Sequence, residues 1–282
     1  MSVNEDLSSE AVLHVERLQK SYGAKEVLRD VTLTARAGEF VCIVGPSGVG
    51  KTTLLRCLAQ LAPADAGQVY VDGRAVTEPP DEMAVVFQDY SRSLMPWMRV
   101  GANVELPLRH TRLSKSERAE RVRSALVDVG LTGCADLYPW QMSGGMQQRA
   151  AIARALAYRP DVLIMDEPFA SVDAQTRSDL EDLMLAVRER IGVTVVLVTH
   201  DIDEAVYLSD TVVVLSGSPA TVAAAVPVQL GRSREQLATK SRPEFLDLRA
   251  RIHAMISRKP ADRPEDRTES AVAATSIDRP TR

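Results

Sequence analysis

The segment Gly45-Pro46-Ser47-Gly48-Val49-Gly50-Lys51-Thr52-Thr53 restricts this chain more than any other. It fits G-x-x-x-x-G-K-[ST], follows the apolar run Phe40–Val44 and precedes a stretch, Leu54 to Leu61, that reads as helix. A strand, a glycine-rich turn and a helix in that order make a phosphate cradle. The glycines let backbone N–H groups turn inward around phosphate oxygens, and the helix N-terminus adds partial positive charge. Lys51 is placed to reach the outer phosphates and the Thr52 hydroxyl to hold Mg²⁺.

Composition narrows the class further. At 282 residues, 45% hydrophobic and 26% charged, the chain can bury a sizeable core and is neither fibrous nor wholly disordered. A net charge of −4 argues against a protein whose main task is neutralising a nucleic-acid backbone. The start, MSVNEDLSSE, is polar and acidic, so no secretory signal is read and a cytoplasmic location is expected. Thr211 to Gly231 is free of charge and long enough to span a bilayer, but Gly217, Pro219 and Pro227 break it, predicting strand, turn, strand. Work at a membrane therefore needs a membrane-spanning partner. Cys42, Cys57 and Cys134 are scattered without C-x-x-C spacing, which suits small buried residues in a reducing compartment.

Apolar residues alternate from Val12 to Ala35, predicting half-buried antiparallel strands. Phe40–Val44, Val162–Met165 and Val193–Val198 are continuous apolar runs, as expected of a parallel sheet covered on both faces. Asp72-Gly73, within Gln68–Val76, marks a hairpin. Between Pro96 and Trp140 the period becomes helical, with capping-box spacing at Ser114 and Glu117 followed by Ala119, Val122, Ala125, Leu126 and Val129. Another helix is expected from Pro243, with Phe245, Leu248, Ile252, Met255 and Ile256 along one face. Beyond Arg258 the polar, Pro-rich composition predicts a disordered tail.

The run Val162–Met165 delivers two adjacent carboxylates, Asp166 and Glu167, at a strand end where open α/β sheets bind ligands. Asp166 suits support of Mg²⁺, and Glu167 suits orienting and deprotonating a water for in-line attack on a γ-phosphate. Ser143-Gly144-Gly145-Met146-Gln147-Gln148-Arg149 opens a second phosphate-binding helix start. One cradle already exists, so this one is expected to serve a nucleotide held by another copy.

That segment, lying between the phosphate cradle and Asp166-Glu167, resembles the signature motif of ABC-type ATPases. The resemblance covers roughly residues 12–214. Tyr22 resembles the aromatic that stacks on adenine, Gln88 the glutamine that senses Mg²⁺ and the γ-phosphate, Ser171-Val172-Asp173 the D-loop, and His200 the switch histidine. Met142 and Val172 stand where leucine is usual, both apolar changes. His200 either donates to the γ-phosphate or holds Glu167 and water in place, and the sequence leaves both roles open.

The resemblance implies an α/β fold of the P-loop NTPase class and ABC type. It has a mostly parallel core sheet, an N-terminal antiparallel β region and a helical signature subdomain over about residues 90–157. An ATPase domain over 11–230 and a helical extension over 231–257 are expected, with the tail over 258–282. It also implies a homodimer sandwiching two ATP molecules with Mg²⁺, each between the cradle of one copy and Ser143, Gly144, Gly145 and Asp173 of the other. Lys51, Glu167 and His200 are then the catalytic set, Tyr22 and Gly45–Thr53 the nucleotide contacts, and Thr52, Gln88 and Asp166 the metal set.

No long heptad insertion and no second cradle are present, unlike chromosome-type and translation-type relatives. Phe87-Gln88-Asp89-Tyr90-Ser91-Arg92-Ser93-Leu94-Met95-Pro96-Trp97 resembles importers of the nitrate, sulfonate and taurine group, as do Glu167-Pro168-Phe169 and Thr199–Ala205. The expectation is a peripheral ATPase on the cytoplasmic face of the membrane, with permease subunits and an extracytoplasmic solute-binding protein, taking up a small anion. A soluble nucleotide-dependent regulator is the alternative. Tyr90, Leu94, Met95, Trp97 and Met98 either line a groove for a cytoplasmic helix of the permease or pack the helical insert onto the sheet. Exposure of these side chains separates the two.

Overall fold

Each apolar strand run serves two cores, because successive side chains point to opposite faces. In the computed structural model, which describes residues 11–88 and 93–257, Phe40, Cys42 and Val44 enter one buried cluster and Val41 and Ile43 the other. Leu163 and Met165 oppose Val162 and Ile164 in the same way, as Val195 and Leu197 oppose Val196 and Val198. Continuous hydrophobicity is therefore the mark of a sheet covered on both sides.

The strands are β1 (Ala11–Tyr22), β2 (Lys25–Arg36), β3 (Phe40–Val44), β4 (Ala66–Val71), β5 (Arg74–Val76), β6 (Met83–Val86), β7 (Val162–Asp166), β8 (Thr194–Val198), β9 (Thr211–Gly217) and β10 (Ala220–Pro227). They form one sheet in the order β5-β4-β1-β2-β10-β9-β3-β8-β7-β6. The core β9-β3-β8-β7-β6 is parallel, whereas β1 with β2, β1 with β4, β4 with β5, and β9 with β10 are antiparallel. The antiparallel region joins the core through the parallel pair Ala220 and Leu28. Thr211–Gly231 thus supplies two strands, and among the described residues no helix is long and apolar enough to cross a membrane.

The helices are α1 (Lys51–Leu58), α2 (Val100–Glu105), α3 (Lys115–Asp128), α4 (Gly144–Ala157), α5 (Ala174–Ile191), α6 (Ile202–Leu208), α7 (Gln236–Lys240) and α8 (Pro243–Ser257). Helix α1 starts three residues before the expected Leu54 and ends three before Leu61. Gly50 caps it at φ 118°, a conformation open to glycine, and Gln60 turns left-handed at φ 54° and ends it. Helix α3 has the full capping box: Ser114 Oγ accepts from Glu117 N–H at 3.3 Å, and Ser114 N–H donates to Glu117 Oε2 at 2.7 Å. Phe245, Leu248 and Ile252 of α8 are buried in the cluster that holds Ala205–Leu208 of α6, so the C-terminal helix is packed onto the core. Cys42 and Cys57 are free and buried, and Cys134 is half-buried. The expected tail beyond Arg258 lies outside the described residues, as do Asp89 to Arg92 and hence Tyr90.

Candidate functional site

The parallel core brings the ends of β3, β7 and β8 side by side, and the loops that leave them carry Gly45–Thr53, Asp166-Glu167 and Thr199-His200. The cradle is pressed against the start of β2: a Cβ added to Gly50 would lie 2.9 Å from Val27 Cγ1. Tyr22, at the tip of the β1–β2 hairpin, is half exposed. Behind it Lys20 Nζ lies 5.4 Å from the centre of the Tyr22 ring and bonds Asp65 Oδ1 at 3.0 Å, while Ser21 N–H donates to Asp65 Oδ2 at 2.6 Å. Sequence reading missed this support, since Asp65 is 45 positions from Lys20.

Lys51 is buried, and its Nζ donates to Gly45 O at 3.0 Å and Pro46 O at 3.2 Å. The ammonium is thus drawn back over its own loop, within reach of any oxyanion the loop encloses. Burial lowers the Lys51 pKa, against Glu167 and Asp166, which raise it. Burial likewise raises the Asp166 carboxyl, in spite of the hydrogen bond from Thr52. The two groups oppose this in each other, Asp166 raising the Lys51 pKa and Lys51 lowering that of Asp166.

Thr52 Oγ1 donates to Asp166 Oδ1 at 3.4 Å. Glu167 follows with φ 43°, a left-handed conformation costly for a residue with a side chain, held by its N–H bonding to Val198 O at 2.8 Å. This twist sends two adjacent carboxylates to different partners. Asp166 faces Thr52, whereas Glu167 Oε2 accepts from Gln88 Nε2 at 3.3 Å and lies 3.1 Å from His200 Nδ1. Hydroxyl, carboxylate and amide oxygens are the donor set that a hard divalent cation takes, so Thr52, Asp166 and Gln88 fit Mg²⁺.

With a carboxylate as its partner, His200 Nδ1 is the donor in this contact. The contact ties the imidazole to Glu167.

Ser143, Gly144, Gly145 and Asp173 are elsewhere: no hydrogen bond among the described residues joins them to Lys51, Thr52, Asp166, Glu167 or His200. Ser143 Oγ caps α4 by accepting from Met146 N–H at 3.3 Å, and Gln147 Nε2 ties the preceding loop to Pro139 O at 2.9 Å and Met142 O at 3.2 Å. Asp173 caps α5, accepting from Thr176 N–H at 2.9 Å and Thr176 Oγ1 at 2.6 Å, bonds that lower its pKa. The two helix starts touch: a Cβ on Gly145 would fall 2.5 Å from Thr176 Cγ2.

The residues expected to line a groove divide. Leu94 takes the packing alternative: it is 2% exposed and packs in the core cluster with Val100 and Val104. Trp97 is 72% exposed and Phe87 45%, while Met95 and Met98 are half-buried. The cause is Asn103, fully buried, which accepts from Met95 N–H at 2.7 Å and donates to Met95 O, Met98 O and Arg99 O at 3.0–3.2 Å. It fastens the turn so that Leu94 points inward and Trp97 outward.

A cluster around Glu204 was also missed, although Asp201 stands at N-cap spacing before α6. Asp201 Oδ1 caps that helix, accepting from Asp203 N–H at 2.9 Å and Glu204 N–H at 3.2 Å. Burial pushes the Glu204 carboxyl from 4.5 up to about 8, with Glu181 and Asp201 adding repulsion against an opposing bond from Thr199. The folded chain then keeps a proton that the unfolded chain releases, so this group's contribution to stability falls as pH rises through that window. Glu204→Gln is expected to flatten the loss of denaturation midpoint between pH 5 and 8. An unchanged pH slope in urea melts would contradict this.

A family model described as "ABC transporter" matches residues 28–170. The nitrate import ATP-binding protein NrtC of Synechococcus elongatus is 43% identical over 85% of this chain, although this chain spans 37% of that protein's length. The taurine import ATP-binding protein TauB of Escherichia coli K12 is 39% identical over 87% of this chain and 97% of its own. Among solved structures, the dimeric ATP-binding cassette MJ0796 bound to ADP and Pi in a post-hydrolysis state is similar, with 32% identity and a TM-score of 0.66. That match covers 77% of this chain and 99% of that one.

Proposed function

Since this chain belongs to the ABC transporter family and is an ATPase of that family, we propose that it is the ATP-hydrolysing subunit of a membrane importer for a small anion of the nitrate, sulfonate or taurine kind. Residues 11–230 are its ATPase domain and 231–257 an extension packed onto it. Two copies close on two ATP molecules, each held by Gly45–Thr53 and Tyr22 of one copy and by Ser143–Gly145 and Asp173 of the other. Similarity to a cassette described as dimeric with ADP and Pi supports that arrangement.

Within each site Lys51 binds the outer phosphates. Glu167 orients a water in line with the γ-phosphate and takes its proton, and His200 and Gln88 hold the Glu167 carboxylate in that direction. Mg²⁺, when bound by Thr52, Asp166 and Gln88, offsets the charge of the phosphate oxygens. Closure on ATP and reopening after hydrolysis move permease partners between inward and outward states.

One observation carries the transport reading over that of a soluble regulator. Phe87 is exposed and adjoins Gln88, whose amide is bonded to Glu167, so a partner seated on Phe87 is one residue from the side chain that meets the Glu167 carboxylate, and Trp97 is exposed as well. Exposed aromatics beside polar groups are what protein interfaces favour. A polytopic permease is therefore expected to co-purify with the chain, an extracytoplasmic solute-binding protein completing the importer. Trp97→Glu is expected to abolish recovery of the permease while the free subunit keeps its ATPase rate. Recovery of soluble partners alone supports the regulator instead. Uptake of candidate sulfur and nitrogen anions by a deletion strain identifies the solute.

A further inference from the structure

Behind His200 lies a cavity of about 10 Å³, lined by Arg177, Thr199, Asp201 and Glu204 as well as by Glu167 and His200 themselves. That volume suits one water molecule. Two buried polar atoms of these residues, Arg177 Nε and Glu204 Oε1, have no hydrogen-bond partner within the protein. Glu204 is 4% exposed, which makes an idle carboxylate oxygen there expensive.

The remaining atoms of the cluster are engaged. Thr199 Oγ1 accepts from Asp201 N–H at 3.0 Å and donates to Glu204 Oε2 at 3.1 Å, so both neighbours of His200 are tied to Glu204 or its helix cap. Arg177 Nη1 donates to Asp201 Oδ2 at 3.3 Å. Arg177 sits in the first turn of α5, its N–H bonded to Asp173 O at 2.9 Å.

We propose that one water in this cavity joins Arg177 Nε–H to Glu204 Oε1, and that the closed cluster makes Arg177 and Glu204 positioning residues that fix His200 to the start of α5. Movement of Asp173 when a second copy docks is then passed through these hydrogen bonds to Thr199 and Asp201, by their backbone to His200, and through Nδ1 to Glu167. Burial raises the Glu204 pKa, and Arg177 across the cavity acts against it. This inference rests on the proposed roles of Glu167 and His200.

The test pairs a structural with a kinetic readout on the full chain. In ¹⁵N-histidine spectra, Arg177→Ala and Glu204→Ala are expected to shift the His200 resonance and leave those of His14, His110 and His253 in place. Each lowers kcat about tenfold, with KM for ATP within about twofold, and Glu204→Gln recovers most of the rate. The double variant is no slower than the slower single one, since both break one unit. Arg177 is one-third exposed as a side chain, whereas Glu204 is 4% exposed, so Arg177→Ala is the milder change and serves if Glu204→Ala does not fold. An unmoved His200 resonance, or losses that simply multiply, overturns the proposal. Because the spectra need no turnover, they separate failure of this cluster from failure of the Glu167 assignment.

Discussion

A Glu167→Gln chain keeps its ATP and accumulates as a closed dimer, while phosphate release falls by at least about a hundredfold, the lower range for loss of a positioned general base. Glutamine preserves the volume of the side chain and an acceptor oxygen for Gln88 and His200, which approach Glu167 Oε2 at 3.3 and 3.1 Å. It removes the one property that matters, a carboxylate able to take a proton from water. Binding is expected to be spared, because the proposed nucleotide contacts are the cradle and Tyr22. Size-exclusion with ATP and a phosphate-release assay read both halves of the result. Hydrolysis at the wild-type rate would falsify the role of Glu167.

The second large effect is at Lys51. Its Nζ is held by Gly45 O and Pro46 O at 3.0 and 3.2 Å, so the charge waits inside the loop that encloses phosphate. Lys51→Ala removes a charge-assisted contact worth about 1.5–3 kcal/mol, equivalent to a Kd for ATP roughly 10- to 150-fold weaker. Titration calorimetry measures this, and an unchanged Kd contradicts the cradle. The same variant tests sharing of sites between copies. Mixed with Ser143→Arg chains it forms hybrids in which one site has both Lys51 and Ser143 and the other has neither, so the mixture hydrolyses ATP where each variant alone does not. Loss of the Ser143 cap costs about 1 kcal/mol, so melting of the Ser143→Arg chain is the control. A mixture as inactive as its components removes the shared site.

Much of the architecture was readable because it is local. Alternation over 12–35, the Asp72-Gly73 turn and the Ser114–Glu117 cap each obey rules that act over a few residues, and each element formed where expected. The uncharged stretch from Thr211 yielded to the same reasoning, since proline and glycine act on their immediate neighbours. Leu94 did not, because its direction depends on Asn103, an amide nine residues on that ties down the intervening turn.

What the sequence by itself determined was the kind of groups on offer: a cradle, two acids at a strand end, and a second capped helix start at Ser143. These are legible because residue type and spacing along one strand or turn set which groups are offered. Tertiary structure alone decided which partner each group meets. The left-handed backbone at Glu167 parts it from Asp166, and residues distant in the chain, Asp65 behind Lys20 and Arg177 beside Glu204, converge only when the sheet order sets their loops side by side. Hydrogen bonds and charges act over a few ångströms of space, whereas sequence records only separation along the chain.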